Sequence, residues 1–170
     1  MNNNIIIKKL SEQEIDNTFK IYKDATENLI SLGINQWDDF YPTKEIILND
    51  IKKESLFGYF EKNTICAAMV LNTEQSPEYS NIDWKFKDKH PLVLHRICVS
   101  PKHQRKGIAK KLIIFMEEYA IKNNYKTIRF DTFTKNPYSV KLYNSLGFIN
   151  SGTVKFRKGE FYCFEKRILS

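Results

Sequence analysis

The chain has 170 residues, 42% of them hydrophobic and 14% aromatic, which suits one domain with a core of its own. No stretch approaches the roughly 20 apolar residues of a membrane span, and the apolar part of the opening MNNNIIIKKLS is too short for a secretory signal, so a cytoplasmic protein is expected. A formal net charge of +7 leaves an anionic ligand or nucleic acid in view, while Cys66, Cys98 and Cys163 lack metal-ligand spacing and read as reduced, buried thiols with no metal.

In chain order, residues 5–10 read as a strand. Ser11 with Glu14 three residues later forms a capping box for a helix whose apolar face is Ile15, Phe19, Tyr22, Thr26 and Leu29. Gly33 ends that helix. The following loop is rich in aromatics, and Trp37, Asp38 and Tyr41 become candidates for contact with a cationic amine. The alternative is that Trp37 and Phe40 pin the loop onto the core. Thr43 starts a short helix carrying Ile46, Ile47 and Ile51. Residues 56–60 and 64–71 are two strands joined by the turn Glu61-Lys62-Asn63. Residues 72–89 form a long irregular connection that either lies over a cleft or shields a sheet face.

The stretch 92–111, LVLHRICVSPKHQRKGIAKK, has three parts: an apolar strand, a Ser100-Pro101 turn and a basic glycine loop opening a helix. Val93, Ile97 and Val99 fall on one side at period two. From Ile108 the apolar spacing turns helical through Leu112, Phe115, Met116, Tyr119 and Ala120. A helix start offers unpaired N–H groups and a favourable dipole to an anion, and Gly107 lets the backbone come close. Lys102, Arg105, Lys106, Lys110 and Lys111 add positive charge, so the junction points to a phosphate, the plainer reading being a solvated basic first turn. Downstream, residues 127–132 form a strand. Asn136 caps a helix with Pro137 in its first turn and Leu142 and Leu146 inward; Gly147 stops it. Residues 148–154 and 161–168 complete the sheet as a hairpin around Lys158-Gly159.

With Gln104, Gly107 and Ala109 between strand and helix, and Asn136, Tyr143 and Leu146-Gly147-Phe148 downstream, the sequence resembles the GCN5-related N-acetyltransferase (GNAT) superfamily. The resemblance runs from Ile5 to Ile168. It implies one domain over residues 1–170: an α/β (α+β) fold, with a mostly antiparallel sheet of about six to seven strands, a splayed central parallel pair and about four helices. It also implies acetyl-CoA as cosubstrate, its pyrophosphate held by Gln104, Arg105, Lys106, Gly107, Ile108 and Ala109, with Asn136 also on the cofactor. Backbone groups of Ile97 and Val99 are expected to pair with pantetheine, one amide stabilising the charge that develops on the thioester carbonyl.

A lysine-like amine has a pKa near 10.4, so only on the order of one molecule in a thousand is free at neutral pH and a base is needed. The glutamate that serves one branch of the family falls here at Val93. His95 on the same face and Asp131 on the neighbouring strand are the candidates, directly or through water. Their structural alternatives are a hydrogen-bonded core histidine and a carboxylate paired with Arg96 or Arg129. The resemblance makes Tyr143 the acid for the departing thiolate. The expected activity is acetyl transfer to a primary amine of a small molecule or peptide by direct attack in a ternary complex, by a monomer or homodimer. A non-catalytic acyl-CoA-binding module is the alternative, and a nucleic-acid binder is disfavoured because no aromatic-basic platform accompanies the charge.

Overall fold

The computed structural model describes residues 5–169; residues 1–4, where the leader reading begins, and residue 170 lie outside it. Among the described residues are seven strands in one sheet and four α-helices. The strands are β1 (Ile5–Lys9), β2 (Leu56–Glu61), β3 (Thr64–Asn72), β4 (Leu92–Val99), β5 (Thr127–Phe133), β6 (Ile149–Phe156) and β7 (Gly159–Arg167). The helices are α1 (Ile15–Ser31), α2 (Lys44–Lys52), α3 (Ile108–Lys122) and α4 (Pro137–Ser145). The strand order is β1-β2-β3-β4-β5-β7-β6. β4 and β5 are the parallel pair, joined at Leu92↔Ile128 and Val93↔Arg129, and the expected α/β architecture holds. No helix among the described residues is long and apolar enough to cross a membrane.

Contacts divide the described residues into two compact units, residues 5–71 with 96–115, and residues 72–95 with 116–169. In the first, β1, β2 and β3 form an antiparallel meander. Lys62 and Asn63 both take positive φ, 46° and 66°, the two-residue turn whose twist matches its flanking strands. Ser11 caps as its spacing requires. Glu14 Oε2 accepts from the Ser11 N–H at 2.6 Å and from its hydroxyl at 2.7 Å, ahead of a 3-10 turn that continues into α1. The buried face of α1 carries Ile21, Tyr22, Ala25 and Thr26, with Ile15, Phe19 and Leu29 packed at its margin. Gly33, at φ 75°, follows its end. Thr43 Oγ1 accepts from Ile46 N, which starts α2 and sets Ile47 and Ile51 inward. These side chains meet Leu56, Ala68, Val70 and Cys98 in one core.

In the second unit, β5 pairs with β7 and β7 with β6, all antiparallel. Phe130 stacks on Phe164 and lies 4.5 Å, ring to ring, from Tyr143. The buried residue of α4 is Tyr143; Leu142 and Leu146, expected to point inward, are only half-buried. The ring is wider than a leucine side chain and fills the space over Phe130 and Phe148. The segment after β3 packs on a face of the sheet and also lines a cavity with Arg129. A 3-10 turn, Pro77–Asn81, and Trp84 cover β5 and β7, with Tyr79 and Trp84 packed on Val93, Val154 and Cys163. Buried Glu165 on β7 accepts the Lys85 and Phe86 N–H groups, at 2.6 and 3.1 Å.

β4 departs from simple alternation. Arg96 sits at φ 47°, in the left-handed region, and this breaks the pleat. Beyond it, Cys98 is the side chain buried in the core, while Ile97 and Val99 are half-exposed. Val93, Ile97 and Val99 therefore do not form the continuous stripe that period two predicts.

Candidate active site

After β4 the chain makes one 3-10 turn, Pro101–His103, and then the exposed loop Gln104–Gly107 before α3 begins at Ile108. Gln104 Nε2 donates to the Val99 carbonyl at 3.2 Å, folding the loop back on its strand. Arg105 and Gly107 take φ of 63° and 74°, left-handed backbone on either side of Lys106. Ile108 is buried and anchors the helix start, and Ala109 follows it half-buried. A Cβ built on Gly107 meets no atom within 4 Å, so glycine answers to the backbone angle and leaves open space in front of the loop. Lys102, Arg105, Lys106, Lys110 and Lys111 all remain exposed around it. A 15-residue helix with this entry suits a phosphate, and the residues present fit a pyrophosphate-bearing ligand.

A family model described as Acetyltransferase (GNAT) family matches residues 16–148. The chain belongs to the acetyltransferase (GNAT) family. Its enzyme class is that of the acetyl-CoA-dependent N-acetyltransferases. A relative in Bacillus subtilis (strain 168), an S-(2-succino)cysteine N-acetyltransferase, is 23% identical, over 97% of this chain and 94% of that protein. Among solved structures, a GNAT acetyltransferase from Streptococcus agalactiae 2603 superposes with a TM-score of 0.87 at 22% identity, over 98% of this chain and 96% of the other. The PaiA N-acetyltransferase from Thermoplasma acidophilum, solved in complex with coenzyme A, gives a TM-score of 0.71 at 17% identity, over 96% and 99% of the two chains. These likenesses are likenesses of fold.

Within the GNAT frame, the remaining candidates fall in one unit or the other. In the first, Tyr41 belongs to a network around Arg96. The guanidinium donates to both carboxylate oxygens of Asp50, at 2.9 and 2.7 Å, and to Tyr41 Oη at 2.9 Å, while Tyr22 Oη donates to the Arg96 carbonyl at 2.7 Å. Burial opposes the Arg96 charge, yet Tyr41 and Asp50 outweigh it and hold the group above its ordinary value. Trp37 is a core residue, its ring 5.8 Å from that of Tyr22, whereas Phe40 is 80% exposed and pins nothing. Asp38 bridges to Tyr41 through the backbone and accepts the Phe40 N–H, so it shapes the loop.

In the second unit, His95 Nε2 lies 2.9 Å from Asn72 Oδ1, and the ring is half-buried. Asp131 accepts the Tyr79 hydroxyl at 2.7 Å. Arg96 is engaged by Asp50, and Arg129 donates to Gln75 Oε1 and the Phe86 carbonyl while lying over Trp84. Burial first, and then the neighbouring Asp131, push the Tyr143 phenol well above its usual range. Asn136 caps α4 by accepting Ser139 N, and its own side chain is buried. All three cysteines are free and buried; burial pushes Cys163 up to about 12 and Cys98 higher still, so both stay as thiols.

Sequence reasoning missed Asp50, Asn72, Tyr79 and Glu165. Each partner lies 23 to 80 residues away along the chain, a separation at which no local pattern signals a contact.

Proposed function

We propose that residues 1–170 act as one catalytic domain that acetylates a primary amine of a small molecule or peptide, the amine attacking directly within a ternary complex. The Gln104–Gly107 loop carries this reading: two left-handed residues, open space before Gly107 and exposed cations at the start of a 15-residue helix. Acetyl-CoA supplies an acyl group already activated as a thioester. Backbone amides at the start of α3 and the cations around them hold the pyrophosphate. The half-exposed positions Ile97 and Val99 suit a pantetheine chain, although Gln104 already occupies one lone pair of the Val99 carbonyl.

Tyr143 keeps its proton over the whole working range, because burial raises its phenol. We therefore assign it as a hydrogen-bond donor to the departing sulfur, a role that needs no full ionisation of the phenol. His95, oriented by Asn72, is the group best suited to take the amine proton, directly or through water. Asp131 is committed to Tyr79 and serves as a fixed negative charge for a cationic acceptor. A cytoplasmic setting agrees with three free thiols.

Free coenzyme A is to be measured by chromatography, with acetyl-CoA and a panel of amines, N-terminal peptides, aminoglycosides and cysteine-derived amino acids including S-(2-succino)cysteine. The last is chosen because it is the acceptor named for the Bacillus relative. Release that saturates with one acceptor class identifies the substrate. Absence of release over the panel, with acetyl-CoA still bound, would overturn the catalytic reading for these acceptors.

A further inference from the structure

The end of the β2–β3 hairpin and the 3-10 turn before Gln104 converge on a point that acetyl transfer does not use. A carboxylate oxygen of Glu61, the sulfur of Cys66 and a ring nitrogen of His103 all lie within 4.8 Å of one another. Cys66 is buried, and Glu61 and His103 are half-buried. The Ser100 N–H donates to the Cys66 carbonyl at 2.8 Å, which ties the turn to β3 at this place.

One residue of the cluster has an unmet need. His103 Nδ1 is buried and has no hydrogen-bond partner among the described residues. Leaving a buried polar atom unpaired costs about 1–3 kcal/mol, so such an atom in a folded protein calls for an explanation. The Cys66 thiol donates to the Thr64 carbonyl at 3.4 Å. Burial raises that thiol, the Glu61 charge works in the same direction, and a backbone hydrogen bond and Lys106 oppose them. A cation placed among the three groups would give the imidazole a partner and the thiolate a counter-charge.

We propose that Glu61, Cys66 and His103 form a zinc-class metal site, with water as fourth ligand. One thiolate, one imidazole and one carboxylate is a borderline-soft set that suits Zn²⁺ and disfavours Mg²⁺ and Ca²⁺, which take oxygen ligands. Tetrahedral zinc with bonds of about 2.0–2.3 Å sets its ligand atoms roughly 3.3–3.8 Å apart, so closure asks for about an ångström of side-chain movement. On binding, the Cys66 sulfur releases its proton to solvent, the carboxylate of Glu61 coordinates as it stands, and His103 offers a neutral nitrogen. The ion would clip the hairpin to residue 103, directly before the Gln104 loop. This site stands whether or not the acetyl-transfer assignments hold.

The test uses the untagged full chain, stripped with chelator and titrated with Zn²⁺ and separately with Co²⁺. One equivalent bound per chain is expected, and the Co²⁺ form should show a thiolate-to-cobalt charge-transfer band with tetrahedral d–d intensity. Cys66→Ser should abolish the band, and His103→Gln should weaken zinc binding at least tenfold, each variant being confirmed folded by circular dichroism. Substoichiometric binding by the wild-type chain, a cobalt complex without a thiolate band, or a band that survives Cys66→Ser would each overturn the proposal; the first two need no variant.

Discussion

Arg96 holds a backbone angle that side chains rarely adopt, φ 47°, and its surroundings explain how that angle persists. Left-handed backbone at a non-glycine residue costs on the order of 1–3 kcal/mol and survives where the surroundings over-determine it. Here Asp50 and Tyr41 take the guanidinium and Tyr22 takes the carbonyl. The ion pair is well buried, its side chains 13% and 6% exposed. Removing one partner strands a charge, so Asp50→Asn is expected to cost about 3 kcal/mol or more in urea unfolding. The double variant Asp50→Asn with Arg96→Met should recover part of that loss, since neither charge then remains. Tyr143 is the other residue whose setting determines its role. With a phenol held protonated by burial, Tyr143→Phe keeps the ring packing on Phe130 and removes only the donor. Turnover is expected to fall about tenfold, the size of one hydrogen bond to a charged group, with acetyl-CoA affinity unchanged. Equal turnover in the two proteins would remove Tyr143 from the reaction.

The loop between β4 and α3 shows how far an element can be read from its letters. A change of period from two to 3.6, with glycine at the join, located it, because both signals are local to a few residues. The capping box at Ser11 and the caps at Thr43 and Asn136 were legible for the same reason. The break in β4 was not, since the residue that takes positive φ is an arginine, stabilised by Asp50 from 46 positions away. Likewise Tyr79, Trp84 and Glu165 make the irregular segment a cover for the sheet through contacts that only folding assembles. The His103 cluster has the same character: residues 61, 66 and 103 show no ligand spacing in the chain and meet only in the fold. For the loop itself, Gly107→Glu puts a carboxylate where a phosphate is expected and forces a side chain onto φ 74°. Acetyl-CoA binding by calorimetry should be lost while circular dichroism stays native. Affinity within twofold of the parent would remove the loop from the cosubstrate site.

Across the whole molecule, five buried thiols and phenols share one direction. Burial raises Cys98 and Cys163, the latter to about 12, and raises the phenols of Tyr22, Tyr79 and Tyr143, so both compact units carry neutral acids that resist ionisation. An unfolded thiol ionises near 8.5, well below these values. Between the unfolded and folded values, the native state therefore binds more protons than the unfolded one, and stability must fall as pH rises. The contribution is whole below about 8.5 and is lost progressively towards the folded value, each thiol adding about 1.4 kcal/mol per pH unit over that window. The tyrosines join above about 10. Urea midpoints measured from pH 7 to 10.5 should thus be level at first and then drop steeply. Cys98→Ala and Cys163→Ala together should flatten the early part of the fall, because they remove two of the three raised thiols and leave Cys66 and the phenols. A decline that begins at pH 8.5 and keeps its slope in the double variant would mean that other groups carry it, and that these two thiols ionise alike in the folded and unfolded chain.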